Sequence, residues 1–261
     1  MKEVHIVVMS KGGVGKSFST TILAQYVKAK AANVPVYFFD TDPQNQTFAR
    51  FKALEPEIVN IKNENNTINT RVFDGLMGKL IGEDGIAVID TGAGTFLPLM
   101  SYIAENYIDE LLMDNGVRLI LHVPITGGQD LVDCLNTLSQ LAGSIDAEIV
   151  VWLNPYKGAI ELNDGTFGSK RKGFTDFPVY KENKSKIIGI INIGQRTSDT
   201  FGKDIEMMTR NSLTFSEITT SPLFDILSRQ RMKLFQRDLF NELEQLPIWV
   251  NQPNETDVSD E

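Results

Sequence analysis

The chain has 261 residues, 42% of them hydrophobic, a net charge of −9 and one cysteine, Cys134. A full α/β core is within reach of that length and composition, and the acidic balance argues against general coating of nucleic acid or of an anionic membrane surface by the whole molecule, leaving a local basic patch as the means of binding either. A single cysteine excludes an intramolecular disulfide and suits a reducing cytoplasm. No apolar run reaches membrane-spanning length, and the chain enters a strand directly, without a signal peptide.

In chain order, the first apolar run is 4–9 (VHIVVM), a predicted strand, and an apolar-periodic helix follows over 18–32. Between them lies 10–21, SKGGVGKSFSTT. Strand, glycine loop and helix together are the context of a phosphate-binding loop. Gly12, Gly13 and Gly15 let backbone N–H groups turn inward and let a phosphate approach closely. Lys16 offers charge to the outer phosphates, the Ser17 hydroxyl can ligate Mg²⁺, and the helix presents its positive end to the anion.

The next strand, 36–39, runs into Asp40-Thr41-Asp42-Pro43-Gln44. Two carboxylates there reach a metal and an attacking water, as ATP hydrolysis requires, although an Asp-Pro turn would use the same residues. A helix is expected over 72–81 and a strand over 86–89, ending in Asp90-Thr91-Gly92-Ala93-Gly94. An aspartate closing an apolar strand matches a Mg²⁺-binding carboxylate, and Gly92 and Gly94 free the loop to move. A helix over 97–113, a strand over 117–123, a helix over 131–141 and a strand over 149–153 follow. The last of these ends in Asn154-Pro155-Tyr156, which reads as a turn or as an amide that recognises a base. Stretch 164–174 carries Lys170, Arg171 and Lys172 together, a solvated turn or a grip for DNA phosphate. A strand over 187–193 leads to Gly194, and 222–246 reads as a final helix. Its inner side is expected at Leu227, Arg231, Leu234 and Phe235, near Phe224, with Arg229, Lys233 and Arg237 as a cationic stripe opposite. The end, 254–261 (NETDVSDE), has the composition of a disordered acidic tail. His5, His122, Trp152 and Trp249 read as structural, and Cys134 as a small core residue.

Continuous apolar strands alternating with helices predict an α/β fold: a three-layer phosphate-loop NTPase with a mostly parallel sheet covered on both faces. No linker divides the chain, so 1–247 is expected to be one domain, followed by the tail 248–261. Functional residues belong just beyond the carboxyl ends of the strands.

Ser10 stands where the general phosphate-loop pattern has glycine, and a second lysine, Lys11, follows it. The resulting K-G-G-x-G-K-S resembles the deviant Walker A motif of the ParA/MinD ATPases. That resemblance implies ATP and Mg²⁺ as ligands. It implies a cradle of Gly12, Gly13, Val14, Gly15, Lys16, Ser17 and Phe18, with metal contacts from Ser17, Asp40 and Asp90. Asp42 would position the attacking water, and Asn154 and the Gly194 loop would lie beside adenine. Lys11 would cross to the nucleotide of a second subunit, which implies an ATP-dependent homodimer. Gly92 and Gly194 stand where the family usually has proline. The stretches 123–130 (VPITGGQD), 150–156 (VVWLNPY) and 228–235 (SRQRMKLF) resemble a narrower, plasmid-encoded subgroup linked to conjugal transfer and plasmid stability. The implied function is an ATPase, slow without a partner, that positions plasmid DNA or a transfer complex through a DNA-binding adaptor or the conjugation machinery. Alternatives on the same fold are a small-molecule kinase or ligase, similar to dethiobiotin synthetase, and a nucleotide-binding scaffold with little turnover. Related iron–sulfur proteins need bridging cysteines, and only Cys134 exists. The acidic end argues against the basic membrane helix of MinD-like proteins.

Overall fold

The computed structural model describes residues 1–63, 68–161 and 172–251. Seven strands form one sheet: β1 (Glu3–Val7), β2 (Val36–Asp40), β3 (Glu57–Ile58), β4 (Ile86–Asp90), β5 (Arg118–Thr126), β6 (Glu148–Asn154) and β7 (Ile187–Asn192). Their order is β3-β2-β4-β1-β5-β6-β7, and every pairing is parallel. The helices are α1 (Lys16–Lys30), α2 (Val72–Gly82), α3 (Ala93–Glu105), α4 (Ile108–Asp114), α5 (Leu131–Ser144), α6 (Pro178–Glu182), α7 (Lys203–Arg210), α8 (Phe215–Ile218) and α9 (Ile226–Glu244).

The strands are apolar on both faces because both faces are covered. In β4, Ala87 and Ile89 face the layer that contains Phe73, Leu99 and Leu138, while Ile86 and Val88 face Leu23, Phe235 and Leu239. Central β1 lies between β4 and β5, so the loop after it opens at the middle of the carboxyl edge.

All six expected strands are present. The edge strand β3 has two residues and gives no sequence pattern. The single helix expected over 97–113 is two. The backbone and side-chain amides of Asn106 both donate to the Tyr102 carbonyl, at 3.2 and 2.9 Å, and Tyr107 then turns left-handed at φ 50°. Helix α9 buries Ser228, Met232, Phe235, Leu239 and Leu243. Leu227, expected inside, is 65% exposed, because the Asp225 cap that accepts from Ser228 N at 2.7 Å sets the phase of the first turn.

The two histidines meet across β1 and β5. Trp152 Nε1 donates to His122 Nδ1 at 2.9 Å, and His122 Nε2 lies 3.0 Å from His5 Nδ1. His5 Nε2 lies 3.3 Å from Glu3 Oε2, and Glu3 also takes Arg118 at 2.7 Å. Indole can only donate, so the chain has one direction: His122 is the Nε2–H tautomer and His5 turns its own N–H to Glu3.

Candidate functional site

The turn between β1 and α1 has Gly13 at φ 69° and Gly15 at φ 101°, left-handed values that a side chain resists. A Cβ at Gly15 would also stand 2.6 Å from Asn154 Nδ2. Gly15 caps α1 without a side-chain hydrogen bond, and the first turn holds no acidic residue. The positive end of a 15-residue helix is therefore left for an anion. Lys16 is 8% exposed and its Nζ donates to the Lys11 carbonyl at 2.8 Å. Burial holds its pKa below the usual lysine range. A buried cation whose hydrogen bond goes to a carbonyl, at the first residue of a helix with an open N-terminus, fits the phosphates of a nucleotide.

Beneath the loop, Asp40 and Asp90 are register partners on β2 and β4. Asp90 is completely buried and accepts from Ser17 Oγ and Thr20 Oγ1, both at 2.6 Å. Burial pushes its pKa up to about 7, helped by nearby Asp40 and opposed by the two hydroxyls and Lys16. Asp40 accepts from the amides of Asp42 at 3.0 Å and Ala49 at 2.9 Å. Burial raises its pKa as well. Two carboxylates and the Ser17 hydroxyl under a phosphate loop are the hard oxygen donors that Mg²⁺ takes. Thr20 gave no motif signal. Its signal is positional, since it lies one helical turn after Ser17 on the same face of α1.

Asp42 Oδ1 accepts from the amides of Gln44 at 2.8 Å and Asn45 at 2.9 Å, the turn that Asp-Pro suggests. Its carboxylate also stands over Gly92, where a Cβ would lie 2.5 Å from Asp42 Cγ. Glycine in place of the family's usual proline thus makes room for Asp42. Gly194 has φ 72°, which proline, fixed near −65°, cannot adopt.

Asn154 is committed within the chain. Its Nδ2 donates to the Val14 carbonyl at 3.0 Å and its Oδ1 accepts from Tyr156 N at 3.2 Å. The turn reading is realised, and the amide braces the phosphate loop, with its second N–H and the second lone pair of Oδ1 left over. Lys11 rests on its own chain, 2.8 Å from Asp133 Oδ2 and 3.3 Å from Asp130 Oδ1. Phe18 stacks on Phe235 with ring centroids 6.3 Å apart. The cationic stripe on α9 is not free: Arg229 donates to the Ser221 carbonyl at 2.8 Å and Arg237 pairs with Asp238 at 2.9 Å, while Lys233 is exposed. Lys172 is exposed; Lys170, Arg171 and the stretch 254–261 lie outside the described residues. Among the described residues, no helix is long and apolar enough to cross a membrane.

A parallel sheet with a phosphate loop at its central strand and paired aspartates beneath it defines a nucleotide-binding domain. Residues 5–247 match the CobQ/CobB/MinD/ParA nucleotide binding domain, and the chain belongs to that family. It is 40% identical over 250 residues to a protein TraL of Escherichia coli, covering 95% of this chain and 100% of that protein. A second TraL of the same organism is 39% identical over 246 residues, with 94% and 98% covered. Among solved structures the chain is similar to the MinD cell division protein of Aquifex aeolicus, at 14% identity and TM-score 0.48, covering 92% of this chain and 98% of that one. The MinC:MinD complex of the same organism gives 15% identity and TM-score 0.45, covering 92% and 96%.

Proposed function

We propose that this protein is a nucleotide-switched ATPase, with residues 1–247 acting as one domain. Two subunits associate when each holds ATP and separate after hydrolysis. The observation that carries this reading is the hydrogen bonding of Ser17 and Thr20 to buried Asp90 beside a buried Lys16 that, among the described residues, has a carbonyl and no carboxylate at contact distance. Lys16 holds the outer phosphates, and Ser17, Asp40 and Asp90 are the residues that would hold Mg²⁺. The metal supplies charge neutralisation at the phosphates. Asp42 orients the attacking water, and Gly92, having no side chain, leaves room for its carboxylate. Lys11 leaves Asp130 and Asp133 and reaches the partner subunit's nucleotide, neutralising charge there as an arginine finger does.

The similarity to TraL and the plasmid-subgroup motifs favour conjugal transfer or plasmid maintenance as the setting. The dimer would then position plasmid DNA or a transfer complex in the cytoplasm through a protein partner.

The test is mass by light scattering for wild type, Lys11→Ala and Asp42→Ala, each with ADP and with ATP–Mg²⁺. The proposal expects ATP to dimerise wild type and Asp42→Ala but not Lys11→Ala. If all three bind ATP and stay monomeric, Lys11 has no role in trans, and a kinase-like or scaffold function replaces the switch.

A further inference from the structure

The stretches 123–130 and 150–156 mark the plasmid subgroup, and apart from Asp130 and Asn154 they have no part in the chemistry above. In the structure they are neighbours. Strands β5 and β6 pair up to Thr126 and Asn154, and the turns beyond them press together backbone to backbone. A Cβ on Gly127 would collide with the carbonyls of Gly158 and Ala159, and one on Gly128, at φ 70°, would lie 2.7 Å from the Lys157 carbonyl. Only glycine fits at either place. The contact brings Asp130 and Lys157 face to face, with Nζ 2.7 Å from Oδ2. The same ammonium overlies the phosphate loop: a Cβ on Gly13 would stand 3.4 Å from it. Asp130 is 4% exposed, and its second oxygen faces Lys11 at 3.3 Å. One buried carboxylate therefore serves two ammonium groups.

We infer that Lys157 is a positioning residue for Lys11: by neutralising Asp130 it weakens the hold of that carboxylate on Lys11 and eases the departure of Lys11 from its own chain. The inference rests on the trans role of Lys11 proposed above. The physical argument is competition. Two like charges sharing one carboxylate repel each other, so each is bound less tightly than it would be alone. A buried carboxylate stripped of one cation is costly and draws the remaining cation closer. Without Lys157, Asp130 keeps Lys11 as its remaining ammonium and holds it in cis. Without Asp130, Lys157 has nothing to compete for.

The test is a double-mutant cycle on ATP–Mg²⁺-dependent dimerisation, read by light scattering with Lys11→Ala alongside. Lys157→Met is expected to weaken the dimer about fivefold, the scale of a partly exposed ion pair. Lys157→Gln should do the same and Lys157→Arg should restore wild-type behaviour. Asp130→Asn should not weaken the dimer, and adding Lys157→Met to Asp130→Asn should change nothing further. An equal loss from Lys157→Met in both backgrounds overturns the inference, because Lys157 would then act on the nucleotide or the fold directly. If Lys11→Ala still dimerises, the trans reading fails and a second measurement decides the inference alone. The proton-exchange rate of the Lys11 ammonium, by NMR without nucleotide, should fall severalfold in Lys157→Met. An unchanged rate overturns the sharing of Asp130.

Discussion

Trp152, His122, His5 and Glu3 form a polar chain through the middle of the sheet, while Lys16, Ser17, Thr20 and Asp90 gather at its carboxyl edge. Apart from half-buried Ser17 both sets are buried, yet they are satisfied in opposite ways. In the first, the groups follow one another in a fixed order down to His5 Nε2, 3.3 Å from Glu3, and Glu3 is closed off by Arg118 and by the amide of Trp249 at 2.8 Å. In the second, burial works against both charges: Lys16 is held below the usual lysine range and Asp90 is pushed up to about 7. The closed set is part of the core. The open set keeps two charges out of water with only neutral partners at contact distance, a carbonyl for Lys16 and two hydroxyls for Asp90, an arrangement that a charged ligand completes.

The contrast can be broken by mutation. Lys16→Met should weaken ATP–Mg²⁺ binding at least about 100-fold by calorimetry, as loss of a central anion donor does. Removing an uncompensated buried charge should leave the melting temperature of the nucleotide-free chain no lower than wild type. A fall in melting temperature comparable with that of a core mutant would show that Lys16 supports the fold instead. Trp152→Phe should do the reverse. It leaves His122 Nδ1 unpaired in the core, so urea unfolding should reveal a loss of about 2 kcal/mol with nucleotide affinity intact.

Burial, and then the neighbouring His5, hold the His122 pKa well below its ordinary value. The folded chain therefore resists a proton that the unfolded chain accepts. That stability is fully present above the unfolded value of about 6.5 and is lost as pH falls toward the depressed folded value, by at most about 1.4 kcal/mol per pH unit. Denaturation between pH 8 and pH 5 should be steeper for wild type than for His122→Phe; equal slopes would mean that His122 is charged inside the fold. Arg237→Ala, on an exposed pair with Asp238, should change stability by less than about 0.5 kcal/mol and leave nucleotide binding alone.

Much of this architecture is legible in the sequence, because its signals are local. Strand, glycine turn and helix around Lys16 are contiguous, and Asp40 and Asp90 sit where their strands end, so position along the chain predicts position in the sheet. What is not legible depends on contacts between distant segments. His5 and His122 have no ligand-spaced partner in sequence, yet parallel pairing of β1 and β5 makes them each other's partner. Gly92 looks like a departure from its family until Asp42 is found above it. Leu227 fits the helical period but lies in a first turn whose phase is set by the Asp225 cap, so it faces outward. Lys157 carries no motif chemistry, and only the glycine contact at Gly127 and Gly128 brings it to Asp130.

Strand β1 lies at the centre of the sheet, with β4 on one side and β5 on the other, and its Glu3 takes a hydrogen bond from Trp249, 246 residues away. During synthesis this strand leaves the ribosome long before either neighbour exists. Its edges stay unpaired until β4 and β5 emerge, and its first residue is closed only when the segment after α9 arrives. Pairings of such long range fold slowly and expose sticky strand edges meanwhile. The phosphate loop cannot be completed before Asp90 has been made. A nascent chain thus lacks the carboxylate floor of its nucleotide site until Asp90 has emerged, some eighty residues after the glycine turn.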